Sequence, residues 1–305
     1  MQYVIRKVLS FIVTLVLISV ITFISVNVLP GDPALLIVGT EGDPARLEIV
    51  RQQLGLDRPL AVRYLQWLSG VIHGDFGQSI RYSQDIAALI KGALPATLSL
   101  AFMGVGLAVI CSIPLGVFCA VKQRGILAKV MLLISQAGMA VPAFWLGLVL
   151  INVFALKLGW LPPTGFDSPL SLILPVMALA LPRAAILTRV VRECMLEAMH
   201  QDYLRTARSK GLSERVVMYK HALKNAAVSI MSVAGVHLTQ LLGGTIVIEQ
   251  VFSLPGLGQL LLAAVLQRDL PLVQGLVVVT AALVLFVNLL LDLALALVDP
   301  RVRYE

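Results

Sequence analysis

Between Lys91 and Lys122 the chain reads GALPATLSLAFMGVGLAVICSIPLGVFCAV (residues 92–121), without one Asp, Glu, Lys or Arg. A membrane-spanning helix needs about 20 consecutive apolar residues, because the hydrocarbon layer is about 30 Å thick and each helical residue rises about 1.5 Å. Similar stretches recur on both sides of this one. Residues 8–31, 130–156 and 225–248 carry no charge, 170–188 is broken only by Arg183, and 270–291 runs on past Asp292 to Val298. Of 305 residues, 58% are apolar and 13% charged, and the mean hydropathy is +0.91. A soluble protein carries about 25% charged residues, so an ordinary cytosolic enzyme, a disordered chain and a disulfide scaffold are excluded. The sequence predicts an all-α integral membrane protein with six transmembrane helices. The first uncharged run exceeds the 7–15 residues of a signal-peptide core and has no clear small-x-small cleavage site after it, so it reads as a retained helix.

Orientation follows from the basic residues in the connections. The N-terminus, the second connection, the fourth connection and the tail together hold sixteen Lys and Arg, nine of them in 183–224 (Arg183, Arg189, Arg192, Arg205, Arg208, Lys210, Arg215, Lys220 and Lys224). The short loops on the other side hold Lys157 and Arg268. The positive-inside rule therefore places both termini in the cytoplasm and leaves 31–92, with seven acids and six bases, as a segment outside. The net charge of +7 belongs to these cytoplasmic loops rather than to a nucleic-acid surface. The chain divides into a tail and first helix (1–30), an extracytoplasmic segment (31–92), a core of five helices (93–298) with a basic loop at 190–224, and a cytoplasmic tail (299–305). The amphipathic stretch 61–72, with Tyr64 and Trp67, reads as a short helix on the outer face.

Catalytic and energy-converting motifs are missing. There is no G-x-x-x-x-G-K-[ST], and no Gly-Lys dipeptide at all, so the sequence offers no phosphate-binding loop for ATP. H-E-x-x-H and G-x-S-x-G are also absent. Gly74-Asp75-Phe76-Gly77 reads as a turn. His73, His200, His221 and His237 are scattered, and Cys111, Cys119 and Cys194 form no metal or disulfide pattern. Glu249 and Asp292 lie near span ends, where carboxylates are more often structural than proton relays. A stand-alone secondary transporter or channel, the reading from another class, would call for inverted repeats and buried acids that the sequence does not display. An intramembrane enzyme would call for a nucleophile–base or metal constellation.

Polar or kink-forming residues inside the spans are the candidates for a pathway. Pro142 interrupts the third span, and Pro175 and Pro182 the fourth. Gly243-Gly244 in the fifth would allow close helix approach. Ser135, Gln136 and Asn152 in the third span and His237 and Gln240 in the fifth could face the interior, and His237 is a weak metal candidate. Hinges lining a pathway and kinks frozen by packing remain equal readings of these positions.

The most informative stretch is Asp202-Tyr203-Leu204-Arg205-Thr206-Ala207-Arg208-Ser209-Lys210-Gly211-Leu212. Asp202 is a good N-cap, two helical turns fit, and Gly211 suits a left-handed stop. A second helix from about Ser213 leads into the fifth span. Such a capped helix between membrane helices is a rigid knob that can dock on a cytoplasmic partner; by physics alone, a basic helix lying on anionic headgroups is an equal reading.

This stretch resembles the coupling loop, or EAA motif, of ATP-binding-cassette (ABC) importer permeases. Gly211 takes the glycine position, Ala207 the second alanine and Leu223 the leucine; Arg205, Thr206, His221 and Lys224 depart from the general motif, while Arg-Thr-Ala-Arg-x-Lys-Gly-Leu matches the dipeptide/oligopeptide/nickel branch. Leu29-Pro30-Gly31-Asp32-Pro33, Leu54-Gly55-Leu56-Asp57, Gly74-Asp75-Phe76-Gly77-Gln78-Ser79, Gly159-Trp160-Leu161-Pro162, Gly243-Gly244, Glu249, Phe252, Pro255-Gly256-Leu257-Gly258 and Asp299-Pro300-Arg301-Val302-Arg303-Tyr304 are similar to that branch in the same order. The resemblance implies a type I importer permease bundle in a bacterial inner membrane. It implies a heterodimer with a second permease subunit, two cytoplasmic ATPase subunits that hold ATP and magnesium, and an extracytoplasmic solute-binding protein. It assigns ATPase coupling to Asp202–Leu212 and no cofactor to this chain. The implied cargo is a di- or oligopeptide, with nickel or a nickel chelate as runner-up.

Overall fold

The computed structural model describes residues 2–28, 48, 51 and 57–298, with the side chains of residues 2, 236–242, 295, 297 and 298 outside that set. The motifs at 29–33, 54–56 and 299–304 lie outside the described residues. The described chain is built from helices: α1 (Gln2–Val28), α2 (Leu60–Ile72), α3 (Ile86–Val121), α4 (Ile126–Ala140), α5 (Ala143–Leu150), α6 (Ile173–Met199), α7 (Asp202–Ser209), α8 (Leu223–Val251), α9 (Leu257–Leu266) and α10 (Leu270–Val298). Among the described residues four helical stretches are long and apolar enough to cross a membrane: Tyr3–Asn27, Ile86–Val121, Pro169–Met199 and Leu270–Ala294. The expected third span is not one rod. It is the pair Ile126–Ala140 and Ala143–Lys157, bent by 103° at the break. Pro142 stands at that break with φ −64° and ψ 136°, an extended conformation that stops α4 and starts α5.

The other prolines behave differently. Pro175 is the third residue of α6, which continues past it from the 3-10 turn Pro169–Leu172; it is not an interruption. Pro182 lies inside α6, and Pro95 and Pro114 lie inside α3, yet both helices continue past them. π-helical segments at Ile151–Lys157 and Val217–Ala222 follow α5 and precede α8. No proline or glycine marks them, so the sequence gives no warning of these irregularities.

The α3–α6 pair is the spine. Gly104, Ala108, Ser112 and Gly116 recur every four residues on α3 and are all buried. Ala180, Ala184 and Thr188 do the same on α6. Small residues at this spacing let two helix backbones approach closely. A Cβ on Gly116 would lie 2.6 Å from the Val191 side chain and 2.8 Å from the Thr188 carbonyl oxygen. By contrast, Gly243 has open space around it, and a Cβ on Gly244 would meet Leu179 at an ordinary 3.7 Å. The close approach expected at Gly243-Gly244 is thus found on α3.

Apolar contacts divide the interior into layers along α3. Ile86, Ile90 and Ala93 pack with Leu257, Ala264, Leu272 and Leu276 at one end. Leu100 joins Leu174, Leu179, Ile248, Phe252 and Leu254. At the other end Val117 and Ala120 pack with Val191, Met195, Leu204, Ala207, Val217 and Met218. Helix α1 packs against α10, where Lys7 and Asp292 form a 2.8 Å ion pair. The amphipathic α2 lies on α1: the Arg63 guanidinium donates to Asn27 Oδ1 at 2.6 Å, the Ser19 and Tyr64 hydroxyls are 2.8 Å apart, and Phe23, Tyr64 and Trp67 cluster with ring centroids 5.5–6.2 Å apart.

Candidate functional site

The basic segment between α6 and α8 forms a short, anchored helix. In α7 the N-cap is Gln201, with Asp202 one place later in the first turn, where its charge still favours the helix dipole. Leu204 is fully buried and Ala207 nearly so, both in the layer that joins the ends of α3, α6 and α8. The helix closes as its sequence requires. Lys210 N–H donates to the Thr206 carbonyl at 3.1 Å, Gly211 N–H donates to Arg208 at 2.9 Å, and Gly211 takes φ +76°. Residues with a Cβ are penalised in that conformation, whereas glycine is not.

Anchoring leaves the opposite face free. Asp202, Tyr203, Arg205, Thr206, Arg208, Lys210, Gly211 and Leu212 are exposed, with Arg208 paired to Glu214 at 2.8 Å. Partial burial pushes the Tyr203 phenol above its usual range, and its hydrogen bond with Asn225 pulls the other way. The structure therefore brings the residues singled out at 202–212 together as one knob with two apolar roots and a polar, mostly basic outer face.

The pathway candidates are not gathered in the same way. Ser135 is buried on α4, which packs on α6, whereas Gln136 beside it is exposed. Pro142 is exposed at the bend, Asn152 is exposed on the π-helical segment, and Gly243 is exposed and Gly244 half-buried on α8. The side chains of His237 and Gln240 lie outside the described residues. Among the described residues no group of three or more His, Cys, Asp or Glu comes together.

Two carboxylates organise the end of the bundle farthest along α8 from α7. Glu249, fully buried, accepts from Thr97 Oγ1 at 2.7 Å and from the backbone N–H groups of Gly258 at 2.7 Å and Gln259 at 3.0 Å. Leu257 N–H donates to Thr97 Oγ1 at 2.8 Å. Gly256 is needed beside them because a Cβ there would fall into the Glu249 carboxylate. Together these groups cap the start of α9 and give both oxygens of Glu249 a donor. Asp269 caps α10 through Leu272 N–H at 3.3 Å and accepts from Ser79 Oγ at 2.5 Å, Ile80 N–H at 3.3 Å and Arg81 N–H at 3.1 Å. The turn motif before it is also explained. Gly74 and Gly77 take φ +82° and +83°, and Asp75 Oδ1 accepts from Gly77 N–H at 2.9 Å.

Residues 112–304 match the family described as binding-protein-dependent transport system inner membrane component, and residues 1–101 match its N-terminal counterpart. The chain belongs to this family. Similar permeases include a peptide transport system permease of Brucella abortus (strain 2308), 41% identical over 99% of this chain and 99% of its own. The glutathione transport system permease GsiC of Escherichia coli (strain K12) is 40% identical over the full length of both chains. Among solved structures, the inward-facing MetNI methionine ABC transporter matches with TM-score 0.57 and 19% identity, over 69% of this chain and 96% of that chain. An amino acid ABC transporter matches with TM-score 0.50 and 19% identity, over 70% and 94%. These likenesses show the fold of an ABC importer permease. The protein is an all-helical, multi-pass inner-membrane permease.

Thr97 and Asp269 of this permease are not singled out by its sequence, and Ser79 is quoted there in a motif without a role. Asp269 sits before the apolar run that becomes α10, which is an N-cap signal. Thr97 carries no local signal, because its partners lie more than 150 residues away.

Proposed function

We propose that this permease forms half of the translocation pathway of an ABC importer for di- or oligopeptides. A second, similar permease subunit completes the pathway, two cytoplasmic ATPase subunits bind ATP and magnesium, and an extracytoplasmic binding protein delivers the solute. The chain itself catalyses nothing and holds no cofactor. It crosses the membrane six times, with both termini and α7 in the cytoplasm, as its sixteen-to-two basic bias favours.

One observation supports the reading most strongly: α7 presents a charged outer face while Leu204 and Ala207 root it in the layer that joins α3, α6 and α8. Closure of the ATPase dimer would push on the exposed face. Because packed layers move as bodies rather than deforming smoothly, the push would reach the membrane helices. The 103° break at Pro142 and the π-helical segments are where helix geometry can change without breaking a continuous hydrogen-bonded rod.

Peptide is favoured over nickel because similar permeases are named for peptides and for glutathione, itself a peptide. Uptake of radiolabelled dialanine, trialanine, glutathione and nickel by cells with and without the gene tests the choice. Loss of uptake of one or more of the peptides, with nickel uptake intact, is expected. Loss of nickel uptake alone would overturn the peptide reading.

A further inference from the structure

We propose that a cavity at the α9 end of the permease is a subsite for the neutral backbone of a peptide in transit. The proposal rests on the peptide reading above. The cavity is an open cleft of about 560 Å³, within the roughly 300–1,000 Å³ of small-molecule sites. It lies between the start of α3, the end of α8 and α9, and α8 alone separates this end from α7 by about 43 Å (29 residues). With α7 in the cytoplasm, the cavity faces the side from which solute is delivered.

Its polar lining residues are Tyr82, Gln250, Gln259 and Gln267, and among the described residues no charged one lines it. A carboxamide offers two donors and a carbonyl acceptor, the same groups a peptide bond displays. Three carboxamides in one cavity can pair with peptide N–H and C=O groups whatever side chains the peptide carries. Among the described residues a ligand carboxylate finds no charged lining partner here. The start of α9 would ordinarily attract an anion, but its N–H groups at Leu257, Gly258 and Gln259 already donate to Thr97 and Glu249. Leu89, Leu260 and Leu266 supply apolar wall.

The walls are held in place before any ligand arrives. Tyr82 N–H donates to Ser79 Oγ at 2.9 Å, and that hydroxyl donates to Asp269. Glu249 fixes the end that carries Gln259. Among the described residues, three other than glycine have positive φ: Ser83 (51°), Ser253 (51°) and Arg268 (56°). Each lies within two positions of a lining residue, Tyr82, Pro255 and Gln267 respectively. Backbone held in this sparsely populated region concentrates at functional sites.

The test uses the complete complex in lipid nanodiscs, with the tripeptide Ala-benzoylphenylalanine-Ala added directly and cross-linked by light. Mass spectrometry is expected to find adducts within 82–93 and 250–267. The N-acetylated, C-amidated form of the probe should label as well as the free one. Gln259→Leu and Gln267→Leu, whose side chains lie outside the packed layers, should each lower the yield about fivefold, the loss of one hydrogen bond, without changing binding-protein affinity. Adducts only elsewhere, a blocked probe that fails to label where the free one does, or unchanged yield in both variants would overturn the proposal. Peptide uptake by the wild-type complex is measured in parallel. Intact uptake with failed labelling removes the subsite alone, whereas absent peptide uptake removes the peptide reading.

Discussion

Thr97 and Glu249, 152 residues apart in the chain, share a buried 2.7 Å hydrogen bond that ties α3 to the end of α8. The same threonine oxygen accepts from Leu257 N–H and the same carboxylate accepts from two further amides, so one buried junction joins α3, α8 and α9. The carboxylate holds three helices in one hydrogen-bonded junction.

Thr97→Val keeps the shape and removes the hydroxyl. It leaves the Leu257 N–H and one carboxylate oxygen without their partner, at about 1–3 kcal/mol for an unsatisfied buried group. The melting temperature of the purified permease should fall by several degrees, and Thr97→Ser should restore most of it. An unchanged melting temperature for Thr97→Val would contradict this account of the junction.

Gly116→Ala and Gly243→Ala should behave oppositely although both add one methyl group to a helix. The first drives a Cβ into Val191 and the Thr188 carbonyl, an overpacking that typically costs about 1–3 kcal/mol. The second enters open space and gains up to about 1 kcal/mol of helix propensity. Thermal unfolding of both variants in one detergent compares them directly. Equal effects would show that the α3–α6 contact is not the tight one.

Gly211 has nothing within 4 Å of its missing Cβ, so its demand is purely conformational. Gly211→Val imposes a strain of about 1–3 kcal/mol at φ +76°. It should lower transport and transport-stimulated ATP hydrolysis without lowering the amount of permease in the membrane. Gly211→Asn, which tolerates this region, should retain most of the activity. Full coupling in Gly211→Val would remove the need for a rigid turn after α7.

Asp269→Ala removes the acceptor for Ser79, Ile80 and Arg81 together. Amide hydrogen exchange at 79–83 should accelerate by at least about tenfold, the equivalent of losing about 1.4 kcal/mol of local protection. Exchange near 204–211, at the other end of the bundle, should stay as it is. Acceleration spread evenly over the chain would show a global rather than a local anchor.

Much of this architecture is legible from local signals. The uncharged runs give the helices, Asp202 and Gly211 bracket α7 to within a residue, and Pro142 marks the break in the third span. Signals that depend on a distant partner are not legible. Nothing near Thr97 announces Glu249, and nothing near Ser79 announces Asp269. Proline is ambiguous as well. Pro142 breaks a helix, Pro175 lies in the first turn of one and Pro182 is carried inside one, although the residue type is the same. The stripe Gly104-Ala108-Ser112-Gly116 was present in the sequence as a four-residue repeat of small residues, but its partner stripe on α6 is what gives it meaning.

In the importer proposed above, the driving force comes from the ATPase subunits and reaches this permease through α7. Trialanine accumulation in proteoliposomes containing the two permease subunits, with the binding protein and ATP supplied, measures it directly when ATPase subunits are added or withheld. Uphill accumulation is expected only with the ATPase subunits present, and should be lost when α7 is replaced by a flexible linker of equal length. Uphill accumulation by the permease subunits alone would contradict the account.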